Sequence, residues 1–185
     1  RNKAGAVKVY HTLGKMQAFA AAELDSASER TTAIECYREA LKIRRQIMSL
    51  DDIDLASMLY EYADLLCIDN ECELALPLLE ESLRIQKAKN GLKDERVAQI
   101  LLKIAEVHVA EKKYDASLVS LEQVLFIQSS LLDNNSANTG SGIDLGSCHY
   151  LLGQTYLARG EHDKAINSYL MCLKMKKKEF GEDSL

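Results

Sequence analysis

His149-Tyr150-Leu151-Leu152-Gly153-Gln154-Thr155-Tyr156, followed after Gly160 by Ala165-Ile166-Asn167-Ser168-Tyr169-Leu170-Met171-Cys172-Leu173, is the stretch that decides the fold. Its apolar residues recur at steps of three and four, which marks one face of a helix, and Gly160 separates two such helices. The second half returns three times upstream, as Ala33-x3-Tyr37-x2-Ala40-Leu41, Ala75-x3-Leu79-x2-Ser82-Leu83 and Ser117-x3-Leu121-x2-Val124-Leu125. The four copies begin 42, 42 and 48 residues apart. A period of this size means a stack of one supersecondary unit, each copy too small to bury its own apolar face. Stability then comes from stacking, and function from the surface that the stack presents.

Twelve residues before each repeated Ala or Ser stand Ala21, Ala63, Ala105 and Gly153, small residues suited to close approach of hairpin partners. Helix pairs are expected near 52–69 with 71–89, 93–112 with 114–132, and 144–159 with 161–179. A more degenerate pair is expected at about 4–25 and 29–48. Its second helix keeps strict register, while Leu13-Gly14 offers a rival Leu-Gly seven residues off. Either the connection between these two helices is longer, or this is an atypical end repeat.

The composition, 47% hydrophobic and 28% charged with one Pro and nine Gly in 185 residues, suits a folded chain with few turns and no strands. A net charge of −5 opposes binding to phosphate backbones, so a protein partner is favoured over nucleic acid. No apolar run approaches the roughly 18–20 residues that span a bilayer. Five cysteines without a C-x-x-C pair suit a reducing compartment, and cytoplasmic location is the default. The chain opens at Arg1-Asn2 and reads as an excerpt or a processed product.

His149-x2-Leu152-Gly153-x2-Tyr156, Gly160 and Ala165-x3-Tyr169 resemble the tetratricopeptide repeat, with His at the Trp place and Tyr at the Phe place. The usual period of that repeat is 34 residues, so a step of 42 adds about two helical turns. This length, Gly91-Leu92-Lys93-Asp94 before a helix, and Leu76-Pro77-Leu78-Leu79-Glu80-Glu81-Ser82-Leu83 are similar to the long repeats of the kinesin light chain group. The resemblance implies an all-α, right-handed α-α superhelical solenoid of helix pairs that binds proteins or peptides. One solenoid of four repeats is expected, at about 4–49, 52–90, 93–132 and 144–180. Phe180-Gly181-Glu182-Asp183-Ser184-Leu185 reads as the entry to a further repeat beyond 185, which would leave an apolar face at 174–180. The longer step of 48 hides an insertion at 133–142, rich in Asp, Asn, Ser and Gly and expected to be a mobile loop.

Catalytic signatures are missing. There is no phosphate-cradling G-x-x-x-x-G-K-[ST] and no H-E-x-x-H, and adjacent Cys148 and His149 would point about 100° apart on a helix. The reading is therefore not an enzyme, with no cofactor and no metal. His108 and His149 fall where packing histidines are expected, and His11 and His162 on the surface. The cluster Lys174, Lys176, Lys177 and Lys178 is read as cations complementing a helix C-terminus.

In the family that the chain resembles, first helices line the concave face and ligands lie across them. The implied groove is Ser57, Tyr60, Asp64 and Cys67; Gln99, Leu102, Glu106 and Val109; and Ser147, Tyr150, Gln154 and Leu157. Chaperone-binding relatives grip a peptide carboxylate with Lys, Arg and Asn at such places, and these stripes have none. Asp64 and Glu106 beside Tyr60 and Tyr150 favour an apolar segment of neutral to basic character. The chain is read as a scaffold or adaptor that binds such a segment, with self-association through uncapped ends as a further route to partners. The alternatives are a regulatory or assembly domain of a larger enzyme or complex, and a helical-repeat RNA binder, which the acidic charge disfavours.

Overall fold

The computed structural model describes residues 3–24, 26–46, 53–133 and 143–180. Eight helices run through them: α1 (Lys3–Leu24), α2 (Ala27–Arg45), α3 (Ile53–Ile68), α4 (Cys72–Asn90), α5 (Glu95–Ala110), α6 (Tyr114–Asp133), α7 (Leu145–Ala158) and α8 (His162–Phe180). No strand occurs among the described residues. Most of the insertion expected at 133–142 and the expected repeat entry at 181–185 lie outside them. The chain divides into two compact units at Lys89 and Asn90. In the first, α1 packs on α2 and α2 on α3; in the second, α5 packs on α6, α6 on α7 and α7 on α8, and α5 also touches α7.

The four hairpins turn alike because the chain solves the same capping problem each time. The amide of Glu71 donates to the Leu66 carbonyl at 2.8 Å, Lys113 to His108 at 2.8 Å, Glu161 to Tyr156 at 2.9 Å and Ser26 to Ala21 at 3.2 Å. In the last three pairs the residue before the donor has left-handed backbone, with φ of 62° at Asn70, 60° at Lys112 and 77° at Gly160. This is the six-to-one closure that satisfies carbonyls at a helix end. Gly and Asn adopt it cheaply, whereas Lys112 places a Cβ in the disfavoured region. Lys112→Gly is expected to raise stability by about 0.5–1 kcal/mol, the relieved strain less the glycine's larger loss of backbone freedom. Urea denaturation checks this, and an unchanged or lower midpoint contradicts it.

Within each pair one residue of the first helix faces one of the second, and their sizes are matched. Buried Ala63 and Ala105 stand in register with buried Leu79 and Leu121. Gly153 instead lies on the Tyr169 ring: a Cβ placed there would come within 2.6 Å of it. Gly14 lies likewise on Tyr37, where a Cβ would approach to 3.1 Å. Alanine opposes leucine, and glycine opposes tyrosine, because the space between close-packed helices is fixed.

This pairing resolves the first hairpin in favour of Leu13-Gly14. Gly14 precedes its turn acceptor Ala21 by seven residues, whereas Gly153 precedes Tyr156 by three; Ala33 follows Ser26 by seven, whereas Ala165 follows Glu161 by four. The seven additional residues place about one more turn in α1 after Gly14 and one more in α2 before Ala33, and the connection stays short. Two whole turns leave the buried faces in place, so Ala21 is still buried.

Buried serines tie helices together where the motif has a small residue. Ser82 Oγ donates to the Ala56 carbonyl at 2.7 Å, joining α4 to α3. Ser117 Oγ on α6 donates to the Ala105 carbonyl of α5 at 3.3 Å and lies 3.5 Å from Thr155 Oγ1 on α7. Each of these hydroxyls keeps a hydrogen bond after leaving water.

Candidate partner-binding stripes

The residues of each expected stripe share a face of their own helix. On α3, Ser57, Tyr60, Asp64 and Cys67 are all half-buried, and Ser57 Oγ turns back to the Ile53 carbonyl at 3.3 Å. On α5, Gln99, Glu106 and Val109 are half-buried, whereas Leu102 is only 8% exposed and contributes mainly to the interior. On α7, Ser147 is held by the helix-capping Asp144, which accepts from its amide at 2.9 Å and its hydroxyl at 2.5 Å. Gln154 Nε2 donates to the Tyr150 hydroxyl at 3.1 Å, and Tyr150 and Leu157 are about half exposed.

The electrostatics differ from what the acidic residues alone suggest. Glu106 is paired with Lys103, one turn earlier on α5, at 2.6 Å. That cation offsets much of the negative potential of the α5 stripe. The signal was present in the sequence as an i,i+3 pair.

With Gly14 in the place of Gly153, the corresponding stripe on α1 is Lys8, His11, Lys15 and Ala18. Two of these reach α3. His11 Nε2 lies 2.8 Å from Glu61 Oε2 and Lys15 Nζ 2.8 Å from Glu61 Oε1. The buried Tyr37 of α2 donates its hydroxyl to Glu61 at 3.0 Å, meets the His11 ring edge-on and stacks on Tyr62. His11, expected on the surface, is thus half-buried and bonded, because its partner lies fifty residues away in sequence. Burial by itself would raise the Glu61 pKa, but hydrogen bonds from His11 and Lys15, with their positive charge, hold it below the ordinary carboxylate value. Burial and the Glu61 charge push the Tyr37 phenol upward, so it stays a donor.

Reactive chemistry has little footing among the described residues. Burial pushes the Cys148 thiol up to about 12, with Asp144 adding to the effect, so thiolate is scarce at neutral pH. Burial also lowers the His149 pKa. Lys112, Lys113, Tyr114, Asp115, Ala116 and Arg159 line a surface depression of about 600 Å³, in which Arg159 pairs with Asp115. No group of three or more His, Cys, Asp or Glu could hold a metal ion, and no helix is long and apolar enough to cross a membrane, among the described residues.

Comparison with known proteins bears on this architecture. Family models described as tetratricopeptide repeat match residues 54–130 and 147–181. A search of curated proteins finds no significant match. Among solved structures, BtubC (BKLC) from P. vanneervenii superposes with a TM-score of 0.72 at 21% identity, over 91% of this chain and 65% of that one. The chain thus spans less than two thirds of BtubC. A Q17M form of the nearly identical TPR-like repeats of a Podosopora anserina kinesin light chain-like protein gives 0.71 at 18% identity over 94% and 76%. MamA from Desulfovibrio magneticus RS-1 gives 0.64 at 14% identity over 95% and 78%. The two family matches together cover more than half of the chain, and they fall on the helix pairs whose small-against-large contacts are described above. The chain belongs to the tetratricopeptide repeat family, and its all-α solenoid fold is the one shared with kinesin light chain-like repeats.

Proposed function

We propose that the chain is a non-catalytic cytoplasmic scaffold that binds an extended or helical protein segment along its first-helix stripes. The observation that carries this reading is on α7. Tyr150, Gln154 and Leu157 present an aromatic ring, an amide and an aliphatic side chain on one face, and Gly153 on the same helix is locked against Tyr169. A rigid stripe of this kind loses little conformational freedom when a partner docks. Pairing of Glu106 with Lys103 makes the second unit a surface for apolar side chains. In the first unit Asp64 supplies the preference for neutral to basic character. All five cysteines are free, which suits a reducing compartment. The stripes of α3, α5 and α7 carry neither Lys nor Arg, which counts against RNA.

Panning a phage-displayed random peptide library against the whole chain tests this. Recovered peptides are expected to be apolar and neutral to basic. Tyr150→Ala with Leu157→Ala is expected to weaken them by at least about tenfold, the effect of removing a central aromatic anchor. Asp64→Lys with Glu106→Lys is expected to weaken the basic peptides selectively. Unaltered affinity in both variants would remove the stripes from consideration.

A further inference from the structure

One face of α8 differs from the corresponding face of every other second helix. Counting from the motif residue, the face consists of positions two before and one, five, eight and twelve after. On α2 these are Thr31, Ile34, Arg38, Leu41 and Arg45; on α4, Glu73, Leu76, Glu80, Leu83 and Lys87; on α6, Asp115, Leu118, Glu122, Leu125 and Ser129. The central position is charged and exposed on all three, as Arg38, Glu80 and Glu122. On α8 the same face reads Asp163, Ile166, Leu170, Leu173 and Lys177. Its centre is Leu170, which is 57% exposed. The flanking Ile166 and Leu173 are 57% and 48% exposed.

We propose that this face docks on the same face of a second copy, with the two α8 helices antiparallel about a two-fold axis at Leu170. This proposal is independent of the groove. Asp163 and Lys177 are both exposed and each stands seven residues from Leu170, on opposite sides. Antiparallel pairing therefore sets Asp163 of each copy against Lys177 of the other and brings Ile166 toward Leu173. The stripe is self-complementary in charge and in apolarity, as an isologous interface requires. Two other occupants fit less well. On α2 the charged centre Arg38 bonds to Tyr62 of the following first helix, an interaction that Leu170 cannot offer to such a helix. The apolar stripe Val9, Leu13 and Met16 of α1 in a second copy is flanked by Lys3, Lys8 and Lys15, which would face Lys174 and Lys177.

Light scattering on the whole chain across a concentration series is expected to show the mass rising from one chain to two. Leu170→Glu, which puts two carboxylates on the axis, is expected to weaken the dimer by at least about tenfold. Its helix content, measured by circular dichroism, should match the parent because the site is exposed. Asp163→Lys alone should also weaken the dimer, and Asp163→Lys with Lys177→Asp should restore it. A mass of one chain throughout would overturn the proposal, leaving the face to a following segment or another protein. So would a dimer indifferent to Leu170→Glu, or a double reversal that fails to restore what the single one lost.

Discussion

Gly153→Ala is expected to destabilise the chain by up to about 2 kcal/mol, although alanine is the better helix former. The new Cβ would stand 2.6 Å from one carbon of the Tyr169 ring and within 2.8 Å of two more. Overpacking a close-packed contact costs about 1–3 kcal/mol, and the gain in helix propensity returns roughly 1 kcal/mol of it. Tyr169 cannot simply swing aside, because its ring also rests against Tyr150 at 5.9 Å between centroids. The size-matching account makes a sharper claim. Gly153→Ala with Tyr169→Leu recreates the pair that the chain uses at Ala63 with Leu79 and at Ala105 with Leu121. The double variant should therefore be more stable than the sum of the single effects by about 1 kcal/mol or more, a coupling that a double-mutant cycle in urea reads directly. Simple additivity would mean that the helices do not touch at this point.

The second large effect concerns Glu61. Glu61→Leu leaves the Tyr37 hydroxyl without its acceptor and His11 and Lys15 without theirs, and should cost about 1.5–3 kcal/mol. The pH dependence carries a definite sign. The folded-state pKa of Glu61 lies below the ordinary 4.5, so its contribution is complete above that value and is lost as pH falls through the lowered one. Glu61→Gln should accordingly flatten the acid side of the stability profile. Identical acid limbs for the two proteins would show that the carboxylate is not held in its charged form by α1.

The fold was legible because the motif repeats its sizes as well as its spacing. Ala33, Ala75, Ser117 and Ala165 are all buried, and each second helix follows from them. The first hairpin was harder to read, since an additional turn stands after Gly14 in α1 and another before Ala33 in α2, and the fixed count of twelve residues leads to Ala21 instead of Gly14. The usable signal was the residue opposite: a Tyr at the motif place of α2 calls for Gly on α1, as Tyr169 does for Gly153. The bond from His11 to Glu61 had no local signature, because long-range pairs are set by packing. Lys103 beside Glu106 was visible and shifts the chemistry of the α5 stripe toward neutrality. Burial of Leu102 was not visible, because a leucine suits a groove and a core equally well. Exposed Leu170 is the converse case, an apolar residue in a place where the other three second helices are charged.

The central proposal is that the first helices, and not the second, hold the partner. Hydrogen exchange of the whole chain, with and without a peptide recovered from the phage library, tests this most directly. The account predicts slowed exchange along α5 and α7 in the second unit, strongest around Tyr150 to Leu157, with α6 and α8 unchanged. Protection confined to α6 or α8, with α7 exchanging as before, would contradict it.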